Sequence, residues 1–187
     1  MMKLAAVILG IVLVLTGCSG TPDRYAVPPP DVTERQRIGF GAVEVREVSL
    51  PAYAASDEIA TQSADGRLTS DGGVRWADTP DRAVALEVAR YLTQISGARV
   101  ASAPWPFEAV PDARLDLRFE TLVASDAGEF RASGQYFVAV SDGRRERSGL
   151  FDLAVAFDPE GGPAAVAAAR AQIILDLASF VARNGLR

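Results

Sequence analysis

The chain has 187 residues, carries 19 basic and 24 acidic side chains for a formal charge of −5, and contains one cysteine and no histidine. The missing histidine removes the commonest general base, the commonest zinc ligand and every Ser-His-Asp or Cys-His arrangement. Net acidity argues against nucleic acid as a partner, where a basic face is the usual footprint, and against electrostatic docking on anionic headgroups.

Met1-Met2-Lys3 is a short positive segment, and Leu4 to Leu15 is apolar apart from Gly10. A spanning helix needs about 20 apolar residues, so residues 1–17 read as a signal peptide. The run ends in Leu15-Thr16-Gly17-Cys18, the lipobox pattern, with cleavage between Gly17 and Cys18 and lipid on the Cys18 thiol. The competing reading is a buried structural cysteine after an uncleaved anchor. The lone cysteine stands where the box demands one, which favours lipidation. Ser19, in place of Asp, resembles the sorting signal for the outer membrane. Two or three acyl chains anchor stably where one is marginal.

Residues 18–37 read as the lipidated N-terminus and a proline-rich tether. Pro28-Pro29-Pro30 favours an extended spacer, and the stretch from Asp31 to Arg37 is charged without an apolar period. One domain of ordinary size remains, residues 38–187. With Cys18 acylated no disulfide is available, so stability must come from the core.

Ile38 to Val48 is strand-like with an irregularity near Gly41, and Pro51 should break the ladder. A short strand is expected around Ile59. Turns are expected at Ala64 to Arg67 and at Ser70-Asp71-Gly72-Gly73, then a short strand at Val74-Arg75-Trp76. Thr79, Pro80 and Asp81 start a helix whose stripe is Val84, Val88, Tyr91, Leu92 and Ile95, and Gly97 stops it. Arg99 to Ala101 is a strand candidate, followed by an aromatic turn at Ala103 to Phe107. Three alternating strands follow, from Leu115 to Thr121, Phe130 to Val140 and Phe151 to Phe157, with Asp142-Gly143 as a turn signal. A helix from Pro163 to Asn184 closes the chain, with Val166, Ala169, Ile173 and Leu177 on its stripe. These elements predict an α+β fold: a mostly antiparallel sheet with two amphipathic helices packed on one face, a two-layer sandwich.

No residue set predicts catalysis, a metal or a cofactor. Asp112, Asp116 and Glu120 are the best carboxylates for an acid/base pair, but Arg118 stands between the last two on the same strand face, which makes a solvated charge ladder the better account. Arg144-Arg145-Glu146-Arg147 is a basic turn, solvated or touching a partner. Trp76 and Trp105 both lie beside prolines near turns. Packing at the edge of the core is their ordinary role, and a partner interface, where Trp is enriched, is the functional one.

The order of Ile38-Gly39-Phe40-Gly41-Ala42-Val43, Leu50-Pro51-Ala52-Tyr53, Asp57-Glu58-Ile59-Ala60-Thr61, Arg75-Trp76-Ala77-Asp78 and Pro104-Trp105 resembles the ABC-type transport auxiliary lipoproteins, the PqiC-like family. Ala42 stands where members usually have Pro, and Gln62 where Arg or Ser is common. The resemblance implies a non-enzymatic protein at the periplasmic face of the outer membrane, docked on the MCE-domain protein of a lipid transport system and able to form a homo-oligomeric ring. A periplasmic module holding an acyl chain between sheet and helices is the alternative. A cavity of several hundred Å³ between the layers would favour the latter; a packed interlayer with an exposed apolar patch near Trp76 or Trp105 would favour docking.

Overall fold

The computed structural model describes residues 21–144 and 146–187. Gly17, Cys18 and Ser19, and with them the signal-peptide and lipobox assignments, lie outside the described residues.

The longest strand organises the rest. β6 (Ala113–Ser125) pairs along its whole length with β7 (Glu129–Val140), which pairs in turn with β8 (Arg147–Ala156), both antiparallel. This is the expected meander, with Leu115, Leu117, Phe130, Val138 and Phe151 on its buried face. The other side of β6 forks. Its first half takes β2 (Ala42–Ser49) and then β5 (Arg99–Ser102). Its far end takes β3 (Glu58–Gln62), which carries β4 (Leu68–Trp76) and finally β1 (Asp23–Tyr25).

The α+β class therefore holds, but the expectation of a mostly antiparallel sheet is corrected. Among the described residues four of the seven strand pairings are parallel: β1 with β4, β2 with β5, β2 with β6 and β3 with β6. The alternation of apolar and polar residues reports which face of a strand is buried, not its direction. Parallel neighbours need long crossovers, which leave no local turn signal.

Two smaller expectations also change. Ser70 to Gly73 lies inside β4, where pairing with β3 jumps from Arg75 opposite Glu58 to Ser70 opposite Ala60. The Asp71 carboxylate accepts from the Gly73 amide at 2.9 Å, so the cluster makes a bulge rather than ending the strand. Pro51 is followed by a single helical turn, α1 (Ala52–Ala55).

The two expected helices are present. α2 (Pro80–Ser96) has Pro at its first turn, and Gly97 at φ 70° ends it by donating to the Thr93 carbonyl. α3 (Gly162–Asn184) follows a 3₁₀ turn at Pro159–Gly161. Both pack on the buried face of the sheet, α2 over β2 and β5 and α3 over β7 and β8. Val84, Val88, Ile173, Ile174 and Leu177 meet Val43, Val45, Leu115 and Leu117 in one core, every one at 0 % exposure. α3 is apolar enough to pass for a membrane span by length and composition, yet 67% of its most apolar window is buried inside the domain. A helix apolar all round is a core helix when neighbours cover it.

The segment 21–37, expected as a spacer, supplies part of that cover. β1 pairs with β4, and Val27 and Val32 pack against the core. The Gln36 amide donates to the Ile95 carbonyl at 3.0 Å, and Glu34 pairs with Arg183 at 2.7 Å. The stretch thus runs along the helical layer from the start of α2 to the end of α3.

Candidate functional site

The two tryptophans that the sequence singles out lie in opposite settings. Trp76 ends β4 and is 7% exposed. The guanidinium of Arg170, on α3, lies 4.8 Å from its ring centre. Arg170 is itself buried and donates to Glu87 Oε1 on α2 at 3.3 Å. The other Glu87 oxygen is buried without a hydrogen-bond partner. Burial pushes the Glu87 carboxyl above its ordinary value, and the Arg170 charge opposes that shift. Burial likewise lowers the Arg170 guanidinium and, with the Glu87 charge adding to it, pushes the neighbouring Tyr91 phenol up to about 12. This pair was not anticipated. Its signal is present in the sequence, since Arg170 stands four residues after Val166 and three before Ile173, on the apolar stripe itself.

Trp105 lies on the connection from β5 to β6. Its indole Nε1–H donates to the Ala109 carbonyl at 2.7 Å, and its ring meets the edge of Phe107 at 4.9 Å. That closes residues 105–109 into a small self-packed loop, entered through a cis Ala103–Pro104 bond. Phe107 is 43% and Val110 70% exposed. Arg99 lies 5.0 Å from the Phe107 ring centre. Both ends of the loop are tied: the Ala103 amide donates to Val45 O, and the Asp112 carboxylate accepts from the Gly41 and Ala42 amides at 2.8 and 2.9 Å. The basic β7–β8 turn abuts it, since Ser141 Oγ donates to Pro111 O at 2.8 Å. The result is an apolar knob held at both ends, with Arg99 over its Phe107 ring and Glu108 exposed beside it.

The three carboxylates considered for acid/base work are not brought together. Asp112 caps the start of β2. Asp116 faces Arg46 at 3.9 Å, and Glu120 accepts from the Gln135 amide at 3.0 Å. Asp116 and Glu120 are about 13 Å apart along β6 by strand rise, too far to share a proton. Among the described residues no group of three metal-ligating side chains occurs.

Two spaces adjoin Trp76 and Arg170, the more open of them about 190 Å³ and lined by Tyr25, Val27, Leu86 and Glu87. The other, of about 20 Å³, is lined by Tyr53, Leu122 and Phe130, room for about one water. A larger open groove of about 580 Å³ lies at the β3–β4 hairpin, floored by Ile59, Val74, Phe157 and Val166 and rimmed by Asp71, Asp126 and Glu160.

Residues 25–182 match the family model described as ABC-type transport auxiliary lipoprotein component, and the chain belongs to that family. No curated protein sequence matches it. Among solved structures, an uncharacterized protein superposes with a TM-score of 0.69 at 20% identity, over 88% of this chain and 98% of that one. A Xanthomonas campestris protein of the family DUF330 gives 0.62 at 21% identity, over 86% and 95%. These likenesses establish the fold. PelC of Paraburkholderia phytofirmans, solved as a dodecamer, gives only 0.43 at 12% identity over 84% and 95%.

Proposed function

We propose that this transport auxiliary lipoprotein is anchored through Cys18 at the periplasmic face of the outer membrane and serves as a non-enzymatic docking and assembly component of an MCE-type lipid transport system. The observation that carries the reading is the exposed apolar pair Phe107 and Val110 on the loop that Trp105 holds closed. An acyl chain held between sheet and helices would need an enclosed space of several hundred Å³; beside Trp76 the spaces are about 20 and 190 Å³, and the groove of about 580 Å³ at the β3–β4 hairpin is open to solvent with Asp71, Asp126 and Glu160 on its rim. Trp76, being buried, contributes to the core, so the docking role falls on Trp105 and its neighbours.

Purification of the tagged, lipidated protein from detergent-solubilised membranes tests this. The MCE-domain protein of the system should copurify, and Phe107→Ser with Val110→Ser should reduce its recovery at least tenfold. Recovery of the tagged protein alone would count against docking. Cys18→Ser should fold normally, stay unacylated and lose function, and Ser19→Asp should move the protein to the inner-membrane fraction.

A further inference from the structure

β8 lies at a margin of the sheet. Among the described residues its one strand partner is β7, through ten consecutive pairs from Val138 opposite Arg147 to Glu129 opposite Ala156, with no register shift. Its other edge leaves an unbroken row of backbone N–H and C=O groups, the template on which a further strand adds. The remaining margins are blunted. β1 has three residues and β5 four; β5 also runs into Pro104 and Pro106, and β4 is bulged. β8 has ten residues, with neither proline nor lysine among them.

Its apolar side chains are also only partly covered. Phe151 is buried, but Leu153 and Val155, on the same face, are half-buried. On the opposite face Leu150 is 74% exposed, more than any other large apolar side chain among the described residues. Asp152 is the strand's one acidic residue and Arg147 its one basic residue. These charges choose among the registers open to two copies. In an antiparallel pair about a two-fold axis, facing residues lie on one side of the sheet. A pair centred on Asp152 sets two carboxylates opposite each other. One centred on Gly149 sets Asp152 against Glu146, and one centred on Phe151 sets it against Leu150. A pair centred on Leu153 sets Asp152 against Ala154, which offers its side chain no donor. Centred on Leu150, the two leucines meet, each Asp152 faces the Ser148 hydroxyl of the other copy, and each Leu153 lies under the other copy's Arg147 stem.

We infer that β8 is the interface of a two-fold dimer, in which the β8 strands of two copies pair antiparallel about Leu150 and continue the sheet from one domain into the other. The contact is isologous and closes on itself, unlike the head-to-tail contact that builds a ring. The path β5-β2-β6-β7-β8 then runs on into the second copy, ten strands in all, within the size that open sheets reach. The two-fold axis is perpendicular to the sheet, so two Cys18 anchors enter one bilayer when that axis stands along the membrane normal. Nothing in the pairing draws on the Trp105 loop, and it stands or falls apart from docking there.

Cysteine crosslinking of the membrane-anchored protein tests the register, with the wild type as the control for Cys18. Under mild oxidation Leu150→Cys should yield a disulfide-linked dimer, because facing residues of an antiparallel pair have Cα atoms about 4.5–5.5 Å apart, within disulfide reach. Ser148→Cys and Asp152→Cys should each crosslink at least tenfold less, since either residue lies about 13 Å along the strand from its own counterpart. The two combined in one chain should restore the crosslink. Absence of a crosslink at position 150, equal yields at 148, 150 and 152, or a higher yield from Leu153→Cys overturns the proposal. Light scattering of the lipidated protein in detergent gives an independent reading. The wild type should be a dimer, and Leu150→Lys a monomer with an unchanged urea midpoint. A monomeric wild type, or a larger assembly that Leu150→Lys leaves intact, overturns it as well.

Discussion

Trp76 and Trp105 make a natural pair for comparison, because the sequence sets both beside prolines and the fold uses them in opposite ways. Trp76 joins three elements: it ends β4, carries the Arg170 guanidinium of α3 on its ring, and through that residue reaches Glu87 of α2. Trp105 holds together only its own loop, through the Ala109 carbonyl and the edge of Phe107. The first ties the layers to each other, and the second shapes a surface. A buried charge surrounded by core costs much to disturb, whereas an exposed knob can change with little effect on folding. On the proposed docking reading, stability and recognition fall to different parts of the molecule.

Substitutions should separate these roles sharply. Arg170→Ala leaves Glu87 buried without its partner and should cost about 3–5 kcal/mol, read by urea unfolding of the mature protein. Combining Arg170→Met with Glu87→Leu should recover most of that loss, because a filled apolar pair removes the uncompensated charge. Trp105→Ala forfeits one hydrogen bond and a ring contact, and should cost about 1 kcal/mol while abolishing docking. A stability loss as large as that of Arg170→Ala would erase the distinction between the two sites.

A smaller effect is expected from pH. Glu87 is raised above its ordinary 4.5 in the folded state, chiefly by burial. The folded protein therefore binds this proton more tightly than the unfolded chain does. The stability it contributes is full below pH 4.5 and is lost as pH rises through the raised value. Between pH 4 and 7 the wild type should lose stability relative to Glu87→Gln; a pH-independent difference would show that the carboxyl titrates normally. Val110→Ser, on the exposed knob, should shift unfolding by no more than about 0.5 kcal/mol while reducing recovery of the partner.

Much of this is legible in the sequence. The meander, both long helices, their stops and the inward residues follow from period-2 and period-3.6 patterning, which depends only on neighbours in the chain. The parallel pairings were not legible, because β2 and β6 are joined by register alone, with Val45 opposite Leu115. The place of residues 21–37 was missed for a related reason: Asp23 to Tyr25 has no strand pattern of its own and is ordered by β4. At the candidate site, Trp105 was visible as an aromatic between prolines, but Phe107 and Val110 gain meaning only once their exposure is known. Arg170 reads as solvated, being an arginine in an alanine-rich helix, although its spacing puts it on the inner stripe.

The fork at β6 also has a kinetic side. The β6–β7–β8 meander closes through short turns, and its loops cost little entropy. β1 finds its only described strand partner about fifty residues downstream, in a strand that itself depends on β3 and so on β6. Local hairpins form in microseconds, whereas non-local pairings wait for loop closure. The meander is thus the natural place for assembly to begin and β1 the place for it to finish. A domain tethered by its N-terminus would settle its bearing on the membrane only as the last pieces close.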